Sequence, residues 1–341
     1  MKITMIGAGG WGTAMVMLLS ARNPDVWLYC RNPETARRLR ETRINEDYLA
    51  GVKIPAHVQI TSDLEKAVSG ADCVILCTPS SVVETMTAGL APFLKQNAVV
   101  VSASKGLSEK GFRLSQVIEE RLTGITDRIV ALSGPNHAEE VGRGMPAATV
   151  AASRVPEAVQ LVQDIYMGPV FRVYRSDDII GVEYGGALKN IIALACGVID
   201  GLGLGDNSRA ALMTRGLVEM TRFGTHFGGK MSTFFGLSGM GDLVVTCTST
   251  HSRNHAAGLL LSQGKTAADI IQGTRMVVEG IRTASIVHAI AEREEIRMPI
   301  TNEVFHVLQG DYTPGESIQH LMNRAKKAET EVQLPGSEFN L

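Results

Sequence analysis

Short apolar runs rich in valine and isoleucine punctuate the first half of the chain. Residues 2–6, 26–30, 71–77, 98–102, 129–132 and 148–151 read as strands. They lack polar alternation, so both faces are buried, as in a parallel sheet. Helical stretches lie between them at 13–20, 34–41 and 82–94. Strands alternating with helices predict a doubly wound α/β domain. The pattern changes near Arg175-Ser176-Asp177-Asp178, where Ser176 or Asp177 is placed to cap a long helix running to Ile199. From there to about Ala325 the chain reads as helix and glycine-containing loop, with strand-like patterning only in pieces such as 243–246. The expected organisation is an α/β domain at 1–177, an all-helical domain at 178–328 and a flexible tail at 329–341. Within that tail, Gly336-Ser337-Glu338-Phe339 is open to two readings, native tail or remnant of cloning.

The first strand runs into Gly7-Ala8-Gly9-Gly10-Trp11-Gly12 and then a helix. G-x-G-x-x-G in that context is a dinucleotide-binding turn. Gly7 permits the tight turn, Gly9 lets backbone amides approach a pyrophosphate, and Gly12 lets the helix pack close to the strand. The second strand is followed by Arg31-Asn32 rather than by the acidic residue usual for NAD. An arginine there suits a 2′-phosphate, so NADP is the preferred cofactor and NAD the second.

Composition narrows the field. The 341 residues are 45% hydrophobic and 20% charged, with a net charge of -2, so no global charge points to nucleic acid or a membrane surface. Five cysteines, scattered through apolar stretches, argue against a disulfide framework and for a reducing compartment. The N-terminus enters a strand at once, without a signal peptide. No uncharged apolar stretch reaches the roughly 18 residues of a membrane span. The longest begins at Ile191 and is interrupted by Asp200. These features together predict a cytoplasmic protein.

Three further segments carry candidate chemistry. Lys105 follows a strand in Ser104-Lys105-Gly106, where ligands of open α/β sheets bind; the alternative is a solvated loop lysine. Lys189 and Asn190 interrupt the small, apolar helix Glu183-Tyr184-Gly185-Gly186-Ala187-Leu188-Lys189-Asn190. Burial lowers a lysine's pKa toward what a general base needs, although such a lysine can also snorkel to solvent. Gly239-Met240-Gly241-Asp242, followed by Ser252-Arg253-Asn254, is dense in polar groups. Arg253 suits a phosphate, and Asp242 can pair with Lys189. His251 and His255 are spaced as helical metal ligands can be, but without an H-E-x-x-H pattern no metal site is expected.

With Gly134-Pro135-Asn136-His137-Ala138-Glu139-Glu140 and Val277-Val278-Glu279-Gly280, these motifs stand in an order that resembles the bacterial NAD(P)-dependent glycerol-3-phosphate dehydrogenase family, from Lys2 to about Ala325. The resemblance implies a Rossmann domain and a C-terminal domain like that of 6-phosphogluconate dehydrogenase. It also implies a homodimer and a small phosphorylated substrate. The implied reaction interconverts sn-glycerol 3-phosphate and dihydroxyacetone phosphate, for phospholipid synthesis. Lys189 would be the proton acceptor. Lys105, Gly134, Asn136, Lys189, Asn190, Asp242, Ser252, Arg253 and Asn254 would contact substrate. Gly7, Gly9, Gly10, Trp11, Gly12, Arg31, Lys105, Ala138, Arg253, Val277 and Glu279 would contact cofactor. Gly10, where the family often has serine, and Asn136-His137, where it often has Ser-Phe, depart from the pattern. A related β-hydroxyacid dehydrogenase and a non-catalytic cofactor sensor are the competing readings. The Arg253-Asn254 segment argues against the first, and Lys189 inside an apolar helix against the second.

Overall fold

The computed structural model describes residues 1–274, 276–326 and 329; the rest of the tail, with its Gly336–Phe339 segment, lies outside the described residues. Its strands are β1 (Ile3–Ile6), β2 (Val26–Tyr29), β3 (Ile44–Asn45), β4 (Leu49–Lys53), β5 (Gln59–Thr61), β6 (Cys73–Leu76), β7 (Val99–Ser102), β8 (Ile129–Ser133), β9 (Ala147–Ala152) and β10 (Phe171–Ser176). Eight of them form one sheet in the order β10-β9-β8-β7-β6-β1-β2-β5, and β3 and β4 form a separate hairpin. The order reverses between β1 and β6, which open a crevice at their carboxyl ends, where nucleotides bind in doubly wound folds. The fold is a Rossmann-type sheet followed by a helical domain.

Apolar side chains cover the sheet on both faces. Met15, Leu19, Val162 and Phe171 lie in one cluster, and Val83, Leu90, Leu114 and Ile118 in the other. The strand runs suggested a parallel sheet, but the sheet is not wholly parallel. β9 pairs antiparallel with β8, and β10 follows β9 in parallel. The link from β8 to β9 holds only the short helix Ala138–Gly142, so no crossover carries the chain to the other end of the sheet. A buried apolar run carries no information on strand direction.

The second half is built around the helix Ile179–Gly201. Asp178 caps it, rather than Ser176 or Asp177: its carboxylate accepts from the Gly181 amide at 2.9 Å and from Lys230 N at 2.8 Å. Asp177 is left to a surface pair with Lys230. By length and composition this helix is able to cross a bilayer, with a best-window mean hydropathy of 1.4, but 83% of that window is buried in protein. It is the core helix of the domain, with Leu188, Ile191, Ile192 and Leu194 packed against Phe223, Leu261 and Val287. Residues 243–246 are not strand-like; they lie in the helix Asp242–Thr248. Packing against the core helix overrides the β-branched run, and the Thr246 hydroxyl returns to the Asp242 carbonyl at 2.6 Å.

Glycines set how closely the next helix, Arg253–Ser262, approaches the core helix. A Cβ on Gly197 would lie 2.0 Å from the His255 carbonyl oxygen, and one on Gly258 would lie 2.1 Å from that of Leu194. This near-backbone contact brings Asn254 beside Asn190, to whose Oδ1 it donates at 2.9 Å. The buried Arg113–Glu183 ion pair, at 2.7 Å, joins the core helix to the loop before helix Leu114–Arg121.

Candidate active site

The turn after β1 is shaped by close backbone approaches. Gly7 has φ +117°, and a Cβ there would lie 2.4 Å from the Cys77 carbonyl oxygen. A Cβ on Gly12 would lie 2.0 Å from the Gly7 carbonyl oxygen, so the helix Gly10–Ser20 sits directly on the strand. Nothing lies within 4 Å of a Cβ on Gly9, which faces open space. The helix has no side-chain cap and no acid in its first turn, so its amides and the positive end of its dipole are left for an anion. The buried Asn45 braces the turn from the β3–β4 hairpin, donating to the Ala8 carbonyl at 2.9 Å and to the Thr13 hydroxyl at 2.7 Å. Gly10 faces the same hairpin: a Cβ would come within 2.7 Å of the Tyr48 carbonyl and 3.6 Å of Ala138 Cβ. A serine at this position would collide with the hairpin unless Tyr48 moved. Trp11 is half-buried at the start of the helix, and Arg31 is exposed just past the end of β2. These features fit a dinucleotide: an open cradle at Gly9, free helix amides, and a cation past β2.

The charged centre lies between the two halves of the molecule. Lys189 Nζ donates to Asp242 Oδ1 at 2.5 Å and to Thr246 Oγ1 at 2.7 Å. Lys105 Nζ donates to Asp242 Oδ2 at 2.7 Å and to the Gly134 carbonyl at 2.8 Å. One carboxylate thus bridges two ammonium groups from different domains. The side chains of Lys189 and Asp242 are 6% and 1% exposed. Burial brings the Lys189 ammonium down to about 8; Asp242 opposes that shift and Lys105 reinforces it. Burial acts to raise the Asp242 carboxyl, but the two lysines outweigh it and hold it below its ordinary value.

The other expected site residues divide into two groups. Some are only partly engaged within the protein. Asn136 Nδ2 donates to the Pro135 and Ala148 carbonyls at 2.9 Å each, while its Oδ1 is buried without a hydrogen-bond partner. Arg253, first residue of its helix, is exposed and donates to the Val277 carbonyl at 3.0 Å. The Cys77 thiol, pushed up to about 12 by burial, feels both Arg253 and Lys105, which sets these cations near the end of β6. Other residues are held by one another. Asn254 donates to Asn190 Oδ1 at 2.9 Å and accepts from the Gly280 amide at 2.9 Å, so both asparagines staple three helices together. Ser252 caps the Arg253 helix through His255 N at 3.2 Å. Both oxygens of Glu279 accept from Ser80. His255 turns away to Asp200 at 2.7 Å. Among the described residues no cluster of three or more His, Cys, Asp or Glu is placed to hold a metal ion.

Sequence reasoning missed Thr246, although its place four residues after Asp242 on a helix was a usable signal. It also missed Asn45, Ser80 and Arg282, whose partners are remote in sequence and which stand in no motif.

Two family models match the chain. NAD-dependent glycerol-3-phosphate dehydrogenase N-terminus matches residues 2–159, and the C-terminus model of that name matches residues 178–319. The chain is 50% identical over 331 residues to a Moorella thermoacetica protein named glycerol-3-phosphate dehydrogenase (NAD(P)+), covering 97% of this chain and 98% of that one. A Bacillus subtilis protein of the same name is 43% identical, over 97% of this chain and 96% of its own length. The crystal structure of glycerol-3-phosphate dehydrogenase from Coxiella burnetii superposes with a TM-score of 0.90 at 34% identity, covering 95% of this chain and 99% of that one.

Proposed function

We infer that this chain, which belongs to the NAD-dependent glycerol-3-phosphate dehydrogenase family, interconverts sn-glycerol 3-phosphate and dihydroxyacetone phosphate using NAD(P)+ and NAD(P)H. The observation that carries the mechanism is the buried Lys189 between Asp242 and Thr246, with its ammonium lowered to about 8. A group of that pKa takes and returns a proton near neutral pH.

The nicotinamide, when bound, supplies or accepts the hydride. Lys189 as free amine takes the proton of the C2 hydroxyl, and as ammonium it polarises the ketone and gives that proton back. Asp242 fixes the direction of the Lys189 ammonium, and Thr246 supplies a second anchor. Lys105 adds positive charge beside the reacting oxygen while it is tied to Asp242. Arg253 grips the substrate phosphate, with Asn136 and the Gly134 backbone lining the site. Asn190, Asn254 and Ser252 act by holding Arg253 and Lys189 in register, since their polar atoms bond within the protein.

The cofactor turn is formed by Gly7, Gly9, Gly10, Trp11 and Gly12, with Ala138 against Gly10; Val277 and Glu279 complete the cofactor site from the second domain. NADP preference through Arg31, the domain division at 177/178, a homodimer and a cytoplasmic location are further parts of this reading. The cation past β2 supports the first, and the passage from β10 to the core helix supports the second. The test is the loss of absorbance of NADPH, then of NADH, with dihydroxyacetone phosphate. Rapid oxidation of either supports the assignment. No oxidation, with cofactor bound, removes it.

A further inference from the structure

The loop that carries Lys105 is held from the other domain. Glu279 and Arg282 stand three residues apart in the first turn of the helix Glu279–Arg293, and so share a face. Ser80, in the loop after β6, donates its amide to Glu279 Oε1 at 2.9 Å and its hydroxyl to Oε2 at 2.6 Å. Arg282 Nη2 donates to that same hydroxyl at 2.6 Å and also to the Leu107 carbonyl, in the loop after β7. Its Nη1 lies 3.9 Å from Glu109 Oε1. One guanidinium therefore ties together two loops of the cofactor domain. Between the tied points lies Gly106, with φ +153°, where a Cβ would sit 2.7 Å from Ser80 Oγ and 3.0 Å from Glu279 Oε2. Ser80 is 2% exposed and Leu107 0%. Lys105 is the residue before this pinch, and its side chain, 18% exposed, reaches from there to Asp242.

We propose that Arg282 is a positioning residue for the dehydrogenase reaction: by clasping Ser80 and the Leu107 carbonyl it fixes the Lys105 backbone and so holds the Lys105 ammonium on Asp242. The proposal rests on the dehydrogenase reading above. Without the clasp, the loop is free to carry Lys105 toward water, and Asp242 then serves Lys189 alone. Burial and Lys105 both lower Lys189, while Asp242 raises it; among the described residues His137 and Cys247 also feel the Lys189 charge. Losing Lys105 from the centre therefore moves Lys189 upward, a change that a merely structural residue would not cause.

The experiment compares the full-length wild type with Arg282→Ala, Arg282→Lys and Ser80→Ala. It follows glycerol 3-phosphate oxidation for kcat, both KM values and the pH midpoint of kcat/KM. In Arg282→Ala, kcat falls roughly tenfold through misplacement. Its pH midpoint moves to higher pH by about half a unit as a nearby charge is lost. Arg282→Lys, which keeps a donor, recovers part of both, and Ser80→Ala, which keeps the Leu107 bond, shows a smaller shift in the same direction. If Arg282→Ala does not fold, the other two variants carry the same comparison. A pH midpoint unchanged from wild type in the folded variants, whatever happens to kcat or cofactor KM, overturns the proposal. A wild type without turnover overturns the dehydrogenase reading instead, so the two failures are distinct.

Discussion

The glycine turn and the lysine centre do complementary work and are built in opposite ways. The turn's glycines are contiguous, Gly7 to Gly12, although they pack against the ends of β1 and β6 and against the β3–β4 hairpin. The lysine centre is assembled from Lys105 after β7, Lys189 on the core helix and Asp242 with Thr246 on a third element. A local motif demands small residues because its own backbone must come close. A dispersed site demands charges that offset one another, because each alone would be costly to bury. The turn therefore responds to added volume, and the centre responds to changes of charge.

Lys189→Ala gives the largest expected effect. On the proposed mechanism it removes the proton-transfer group, so kcat falls by roughly 10²–10⁴-fold. Cofactor binding, followed by quenching of Trp11, stays close to wild type; equal loss of binding and turnover would mean the two regions are not separable. Gly12→Ala tests the opposite side. Its Cβ would lie 2.0 Å from a backbone oxygen that has no rotamer to yield. Stability drops by roughly 2 kcal/mol from overpacking, and cofactor KM rises more than kcat falls. A calorimetric midpoint and cofactor KM like those of wild type would refute the tight-contact argument.

The pH dependence sharpens the contrast. With Lys189 lowered to about 8, the proposed mechanism makes oxidation of glycerol 3-phosphate need the free amine, so kcat/KM rises with pH through about 8. Reduction of dihydroxyacetone phosphate needs the ammonium, so its kcat/KM falls through the same range. Profiles of like sign in the two directions would exclude Lys189 as the titrating group. Arg31→Asp has the smallest effect. It weakens NADPH relative to NADH by about tenfold, the worth of roughly 1.5 kcal/mol for one charge-assisted contact. Equal losses for both cofactors would show that the selector lies elsewhere.

Periodicity and local chemistry by themselves determined the α/β first half, the cofactor turn and the long helix carrying Lys189. Each is marked by residues within a turn or two of one another, although the packing partners of the cofactor turn, Cys77, Tyr48 and Asn45, are remote. The pairing of Lys189 with Asp242 was legible as a possibility, because a lysine in an apolar helix needs a partner. Only the tertiary structure decided that Asp242 also holds Lys105, that Thr246 joins them, and that the run at 243–246 is helical. It also reversed β9 against β8, since strand direction follows the path of the connection and leaves no mark on a buried apolar run. Ser80, Arg282 and Asn45 were invisible for the same reason. Their partners are set by packing between remote segments, and a polar residue records nothing in sequence about which distant group will satisfy it.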